Sequence, residues 1–159
     1  MADSKELRQA KAVYQTICEA LTGMEWDFER DEEKLIITTG VQGDDLPMKI
    51  AMRVDVERQF VNLLSYIPFS IPEEKRVEMS VALHIINYRL ANGSFDYNFA
   101  DGEVLFRMTT SFMGSLLGKE TFEYMLFVAC NTVDEYNDKI LMMCKNKMTL
   151  EELIDSMNE

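Results

Sequence analysis

Two stripes of apolar residues run along one predicted helix near the middle of the chain. From Val77 to Leu90, apolar side chains recur at three- and four-residue steps, which is the helical period. One stripe consists of Val77, Val81, Ile85 and Tyr88, and the other of Met79, Leu83, Ile86 and Leu90. Since each stripe can cover an apolar surface, the pattern predicts a central helix that packs on more than one side.

The period changes from helical to alternating directly after this helix. Asn92-Gly93 supplies residues that tolerate the left-handed conformation at a helix end. Apolar and polar residues then alternate over 95–99, Asp101-Gly102 provides a turn, and the alternation resumes over 104–108. This pattern predicts a β-hairpin with Phe95 on its first strand and Phe106 on its second.

Four further strands are predicted before the central helix, over residues 24–28, 35–40, 46–54 and 60–67. The third strand has the clearest signal because apolar and polar residues alternate along its whole length. Pro47 is expected near the start of this strand or at a sheet edge, since proline has no N–H to donate.

Three more helices complete the predicted order of elements. An amphipathic helix spans 4–21, a long one spans 122–143, and a short one runs from Thr149 to about 157, where Thr149 and Glu152 have capping-box spacing. The same spacing of Ser70 and Glu73 predicts that the central helix begins at Ile71. The order α-β-β-β-β-α-β-β-α-α predicts one α+β domain over 1–159, an antiparallel sheet of five to six strands with helices packed against it.

Charge and cysteine content limit the classes of partner. The 16 basic and 28 acidic residues give a net charge of −12, so nucleic acid and anionic membranes are poor partners. The three widely spaced cysteines favour a reducing compartment. Residues 1–11 contain no apolar signal segment, and no apolar run reaches the length of a membrane helix. We therefore expect a cytoplasmic protein.

Residues capable of chemistry are few and scattered. The single histidine, His84, lies within the central helix without a recognisable catalytic motif. The cysteines and the histidine match no metal-ligand spacing, and no phosphate-binding loop is present in the sequence. Acidic clusters at 31–33, 44–45 and 134–138 are best explained as solvated charge. We expect no enzyme activity and no cofactor; the alternative is an enzyme that uses a cation held by carboxylates such as Asp44 and Asp45.

The central stretch resembles the YbjN family, which is described as bacterial sensory transduction regulators. The resemblance rests on prolines 68 and 72, on the Asn87-Tyr88-x-Leu90 sequence with Gly93-x-Phe95 at the helix end, and on Asp101-Gly102-x-Val104-x-Phe106-Arg107 in the hairpin. It extends over nearly the whole chain, because Trp26, Phe28 and Val133-x-x-Tyr136 occur in the same order.

The resemblance implies a type III secretion chaperone-like fold. Proteins of that fold are small and acidic, often dimerise and hold extended segments of client proteins, and the family offers no catalytic residues. This chain has one more predicted strand before the central helix and one more short helix at its end. The resemblance implies a homodimer that binds a protein or peptide client in a chaperone-like or regulatory role.

Two sets of residues are candidates for a binding site. If the Val77 stripe packs on the sheet, then Met79, Leu83, Ile86 and Leu90 are available for a second subunit or another partner. Alternatively, the first and last helices cover them. A different hypothesis is a small-ligand sensor whose pocket, between the sheet and the helices, is lined by Trp26, Phe95 and Phe106.

Overall fold

The first helix and three of the four strands that follow it form as the sequence predicts, with shifts at their ends. The strand predicted over 24–28 is wrong, because the N–H groups of residues 24–26 donate to carbonyl oxygens at the end of the first helix, and the strand begins only at Phe28. A computed structural model describes residues 4–159. The elements are α1 (Lys5–Gly23), β1 (Phe28–Asp31), β2 (Ile36–Gln42), β3 (Pro47–Asp55), β4 (Phe60–Ser70), a 3-10 turn (Glu73–Lys75), α2 (Arg76–Arg89), β5 (Ser94–Tyr97), β6 (Glu103–Ser111), α3 (Lys119–Cys144) and α4 (Leu150–Met157). The predicted α+β class and order of elements are confirmed.

The strands form one antiparallel sheet in the order β1-β2-β3-β4-β6-β5. Consecutive strands β1 to β4 pair as a meander, and the β5–β6 hairpin joins it through β6, which pairs with β4. Pro47 is the first residue of β3, where its lack of an N–H is tolerated. The short strands β1 and β5 therefore form the two edges.

Helix starts differ in how well local sequence predicts them. Ser4 caps α1, and Thr149 and Glu152 form the predicted capping box of α4. The predicted start of α2 at Ile71 is wrong, because the N–H of Ile71 donates to the carbonyl oxygen of Gly102 at 2.8 Å. This bond holds Ile71 to the hairpin, so helical turns begin only after Pro72.

Two glycines adopt the left-handed conformations that the sequence predicts at the hairpin. Gly93 has φ +78° and Gly102 has φ +79°. A Cβ atom at Gly102 would lie 2.3 Å from the carbonyl oxygen of Ile71, so the turn also requires the absence of a side chain. These contacts place β5 and β6 against the entry to α2.

Helices cover one face of the sheet. Helix α1 packs on β3, α3 packs on β4 and β6, and α2 packs on β5. The fully buried strand residues all belong to one alternating set: Ile37, Thr39, Met48, Ile50, Met52, Val54, Val61, Leu63, Ser65, Ile67, Phe95, Val104, Phe106 and Met108. The core therefore lies between this face and the helices.

Candidate functional site

The opposite face of the sheet, which we call the open face, has no fully buried side chains. On β3, for example, Met48, Ile50, Met52 and Val54 are buried, whereas the alternating residues Lys49, Ala51 and Arg53 are not. In a small antiparallel sheet, one face can remain in contact with water. The open face is therefore an accessible surface that extends across all the strands.

Strand register gathers apolar side chains at the centre of the open face. Ala51 on β3 is opposite Leu64 on β4, and Tyr66 on β4 is opposite Leu105 on β6. Ala51, Leu64 and Leu105 are half-buried, and Tyr66 is 37% exposed. Directly opposed residues in antiparallel strands are within side-chain contact distance. These four residues, the open-face cluster, form a continuous apolar surface without a helix above it.

Basic side chains border this cluster although the whole chain is acidic. Lys49 and Arg53 lie on either side of Ala51 along β3, and both are exposed. Among the residues that the structure describes, neither forms an ion pair. Arg107 on β6 pairs with Asp96 on β5. On the β3 side of the open-face cluster, Ala51 thus lies between two unpaired cations, which favours ligands that combine apolar and acidic groups there.

The stripe of α2 that was predicted to face a partner is buried, and the stripe that was predicted to pack on the sheet is largely exposed. Met79, Leu83 and Ile86 are at most 2% exposed, and Leu90 is partly buried against the core. Helix α4 and strand β5 both pack on α2. These residues are therefore buried in the described chain and do not form an exposed partner surface there. The first and last helices were the predicted alternatives for covering these residues, and the last helix, α4, packs on α2.

The other stripe of α2 forms the accessible surface of this helix. Val77 is 69% exposed, Val81 is 45% exposed and Tyr88 is 88% exposed, while Ile85 between them is half-buried. Large apolar side chains at successive helical turns give a contiguous apolar stripe. Such a stripe on a surface helix is typical of a protein contact.

Asn87 fixes α2 to the edge of the sheet, a role that sequence patterns did not reveal. Its side-chain N–H donates to the carbonyl oxygen of Phe95 at 3.0 Å, and its side-chain oxygen accepts from the N–H of Phe95 at 2.8 Å. Asn87 therefore pairs with β5 in the way that a neighbouring strand would. The sequence signal was an asparagine close to the helix end, which by itself suggests only a terminus.

The predicted aromatic pocket is not assembled. Trp26 precedes β1 at one edge of the sheet, whereas Phe95 lies on β5 at the other edge. Five strand spacings separate these edges, or roughly 24 Å. Phe95 and Phe106 instead pack against each other, with ring centroids 5.2 Å apart at 61°. These two rings fill the core rather than line a cavity.

The clefts of the described chain lie elsewhere and are shallow. One of 530 Å³ is lined by Gln9, Gln59 and Leu116, among others, and another of 440 Å³ includes Phe28, Thr38 and Lys49. Neither includes Trp26, Phe95 or Phe106. The geometry therefore gives no support to a ligand pocket built from the three predicted aromatic residues.

The titratable residues do not form a reactive group. The His84 side chain is exposed and forms no hydrogen bond within residues 4–159. Asp134 accepts a hydrogen bond from the N–H of Asp44 at 2.9 Å and so fixes the β2–β3 loop to α3. Within the described part of the chain, no group of three or more histidine, cysteine or acidic residues could hold a metal ion. The acidic cluster at 134–138 thus has a structural contact at Asp134.

The three cysteines are held in the protonated form. Burial and, to a smaller extent, repulsion by Asp134 raise the pKa of Cys130 to about 11. Burial also raises the pKa of Cys18, partly opposed by its hydrogen bond with Arg30, and that of Cys144, partly opposed by Lys75. Because the thiolate is the nucleophile, none of the three thiols is activated.

The fold defines a class of protein, the small α+β proteins similar to secretion chaperones. The protein in the solved ExsC–ExsE complex matches with TM-score 0.53 and 13% identity, over 79% of this chain and 91% of that chain. The HopA1–SchA chaperone–effector complex matches with TM-score 0.50 and 13% identity, over 79% and 92%. At these identities the similarity shows the fold alone.

A family model identifies the chain more closely. Residues 14–142 match the YbjN model, described as "Putative bacterial sensory transduction regulator", so the chain belongs to the YbjN family. The crystal structure of YbjN from E. coli, described as "a putative transcription regulator", matches with TM-score 0.58 and 9% identity, over 79% of this chain and 92% of that chain. No curated protein matches the sequence. No helix within residues 4–159 has the length and apolar character needed to cross a membrane.

Proposed function

We propose that this chain is a non-enzymatic, cytoplasmic domain that binds a segment of another protein in a chaperone-like or regulatory role. The observation that carries this proposal is the open-face cluster, Ala51, Leu64, Tyr66 and Leu105, which is apolar, accessible and without a covering helix. An exposed apolar surface bordered by charged residues is typical of a protein-binding site.

The family and the solved relatives support a protein partner. One relative is part of a chaperone–effector complex and another is part of the ExsC–ExsE complex. The YbjN description is of a regulator. Neither description is of an enzyme, and the protonated cysteines and isolated His84 agree with a binding role.

The chemistry of the open face defines the kind of client. Lys49 and Arg53 border the apolar cluster, so the preferred segment has apolar side chains alternating with, or flanked by, carboxylates. An extended segment suits this surface, because a sheet face is flat and its side chains repeat every second residue. The client would place its apolar side chains on Leu64 and Leu105.

We also propose that two copies of the chain associate through the outer stripe of α2. Val77, Val81 and Tyr88 provide an apolar stripe that neither the sheet nor α4 covers. Two copies of one helix can meet in an isologous contact, in which each stripe packs on the same residues of the partner. This contact leaves the open face accessible in both copies.

Site-specific photocrosslinking tests client binding. A benzophenone amino acid placed at Leu64 should give a crosslinked polypeptide in the native host, because this position is at the centre of the open face. The same amino acid at Glu19, an exposed position on α1, is the matched control. Equal crosslinking from both positions, or none from Leu64, would contradict the proposed site.

A further inference from the structure

Helix α4 is an addition to the region that the family shares. The family match ends at residue 142, whereas α4 comprises Leu150–Met157. The helix follows α3 after a short connection and packs on α2. Helix α4 lies outside the matched region, but it covers part of α2, which lies inside that region.

The attachment of α4 to the rest of the chain is shallow. Of its 8 residues, Leu153 alone is fully buried. Leu150, Ile154 and Met157 are half-buried on the same side, and Glu151, Glu152 and Asp155 are exposed. The helix thus has a narrow apolar stripe at helical spacing and an acidic outer side. A helix this short is only marginally stable without the surface beneath it.

The polar contacts of α4 are of a kind that other helices could make. Arg89 of α2 donates to the carbonyl oxygen of Met157 and to the side-chain oxygen of Asn158, both at the end of α4. A cation at a helix C-terminus binds the free carbonyl groups, which every helix has. The capping box of Thr149 and Glu152 lies within α4 itself. The surface therefore recognises an apolar stripe and a helix end.

We propose that the surface of α2 beneath α4 is a second protein-binding site, that α4 is its reversible internal occupant, and that its external ligand is an amphipathic helix of a partner protein. The ligand has apolar residues at the spacing of Leu150, Leu153, Ile154 and Met157 and ends beside Arg89. Because α4 is tethered beside the site, it competes at high effective concentration, and the site is available only when α4 detaches. This inference does not depend on the client bound at the open face.

Hydrogen exchange on the wild-type protein tests detachment directly. Backbone amides of α4 should exchange by local opening, at least about tenfold faster than amides of α3 near Leu126 and Ala129, which are fully buried. If the amides of α4 exchange only together with those of α3, then α4 is part of the global folding unit and the proposal is wrong.

Binding of the missing helix in trans tests the site. In full-length Leu153→Asp, α4 should detach while the surface of α2 is unchanged. A fluorescent peptide of residues 147–159 should bind this variant at least about tenfold more tightly than it binds the wild type. Full-length Glu151→Ala, altered on the exposed side of α4, should behave like the wild type. The same peptide carrying Leu153→Asp should not bind.

Each remaining outcome of this experiment contradicts the proposal. Hydrogen exchange of α3 in Leu153→Asp reports whether the core is intact. If the core unfolds, α4 is an integral part of it. If the core is intact and the peptide does not bind, or binds wild type and variant equally, the surface is not a helix-binding site.

Discussion

Asn87 shows how one side chain joins the central helix to the edge of the sheet. Its amide makes two hydrogen bonds with the backbone of Phe95, on a strand of only four residues, β5. Phe95 in turn packs against Phe106 and Tyr136, whose ring centroids are 5.2 Å and 6.1 Å away. The amide therefore orients a strand whose side chain is part of the core.

Replacement of Asn87 by alanine should destabilise the fold by about 2 kcal/mol, because two part-buried backbone groups of Phe95 lose their partners. Urea unfolding measures this change. Asn131→Ala, at an exposed position on α3, is the matched control and should change stability by less than about 0.5 kcal/mol. A loss at Asn87 no larger than the control would show that these hydrogen bonds do not support β5.

At the scale of elements, the sequence predicts which segments are helices but not which side of α2 is buried. Both stripes of α2 have helical spacing and similar apolar content, so periodicity alone cannot distinguish them. The choice depends on β5 and α4, which pack on α2 from later parts of the chain. The start of α2 depends in the same way on a hydrogen bond between Ile71 and Gly102.

Two aspartate substitutions on α2 distinguish its buried stripe from its exposed one. Leu83 is 2% exposed, so Leu83→Asp would bury an unpaired charge and should cost about 4 kcal/mol or more. Val81 is 45% exposed, so Val81→Asp should change stability by less than about 1 kcal/mol. Circular dichroism in urea measures the change in stability, and sedimentation velocity measures association.

The association state distinguishes the proposed dimer surface from a merely exposed stripe. If two copies meet through Val77, Val81 and Tyr88, then Val81→Asp should sediment as a folded monomer while the wild type sediments as a dimer. A wild-type monomer, or a Val81→Asp dimer, would show that this stripe is not the contact between copies.

At the scale of the whole molecule, the sequence predicts the architecture well because alternation and helical periodicity are local signals. The six strands and four helices follow in the predicted order. The predicted partner stripe is buried and the predicted aromatic pocket is not assembled, because both depend on contacts between distant segments. Trp26 and Phe95 lie at opposite sheet edges, and the open-face cluster exists only because the register places Ala51 opposite Leu64 and Tyr66 opposite Leu105.

Native mass spectrometry of the protein, purified gently from its own host, tests the central claim most directly. The account predicts a dimer that carries a polypeptide, and it predicts that Leu64→Glu abolishes the polypeptide while the dimer remains, because a carboxylate at the centre of the open face repels an acidic apolar segment. A wild type without any bound polypeptide, or a Leu64→Glu variant that carries the same polypeptide, would contradict it.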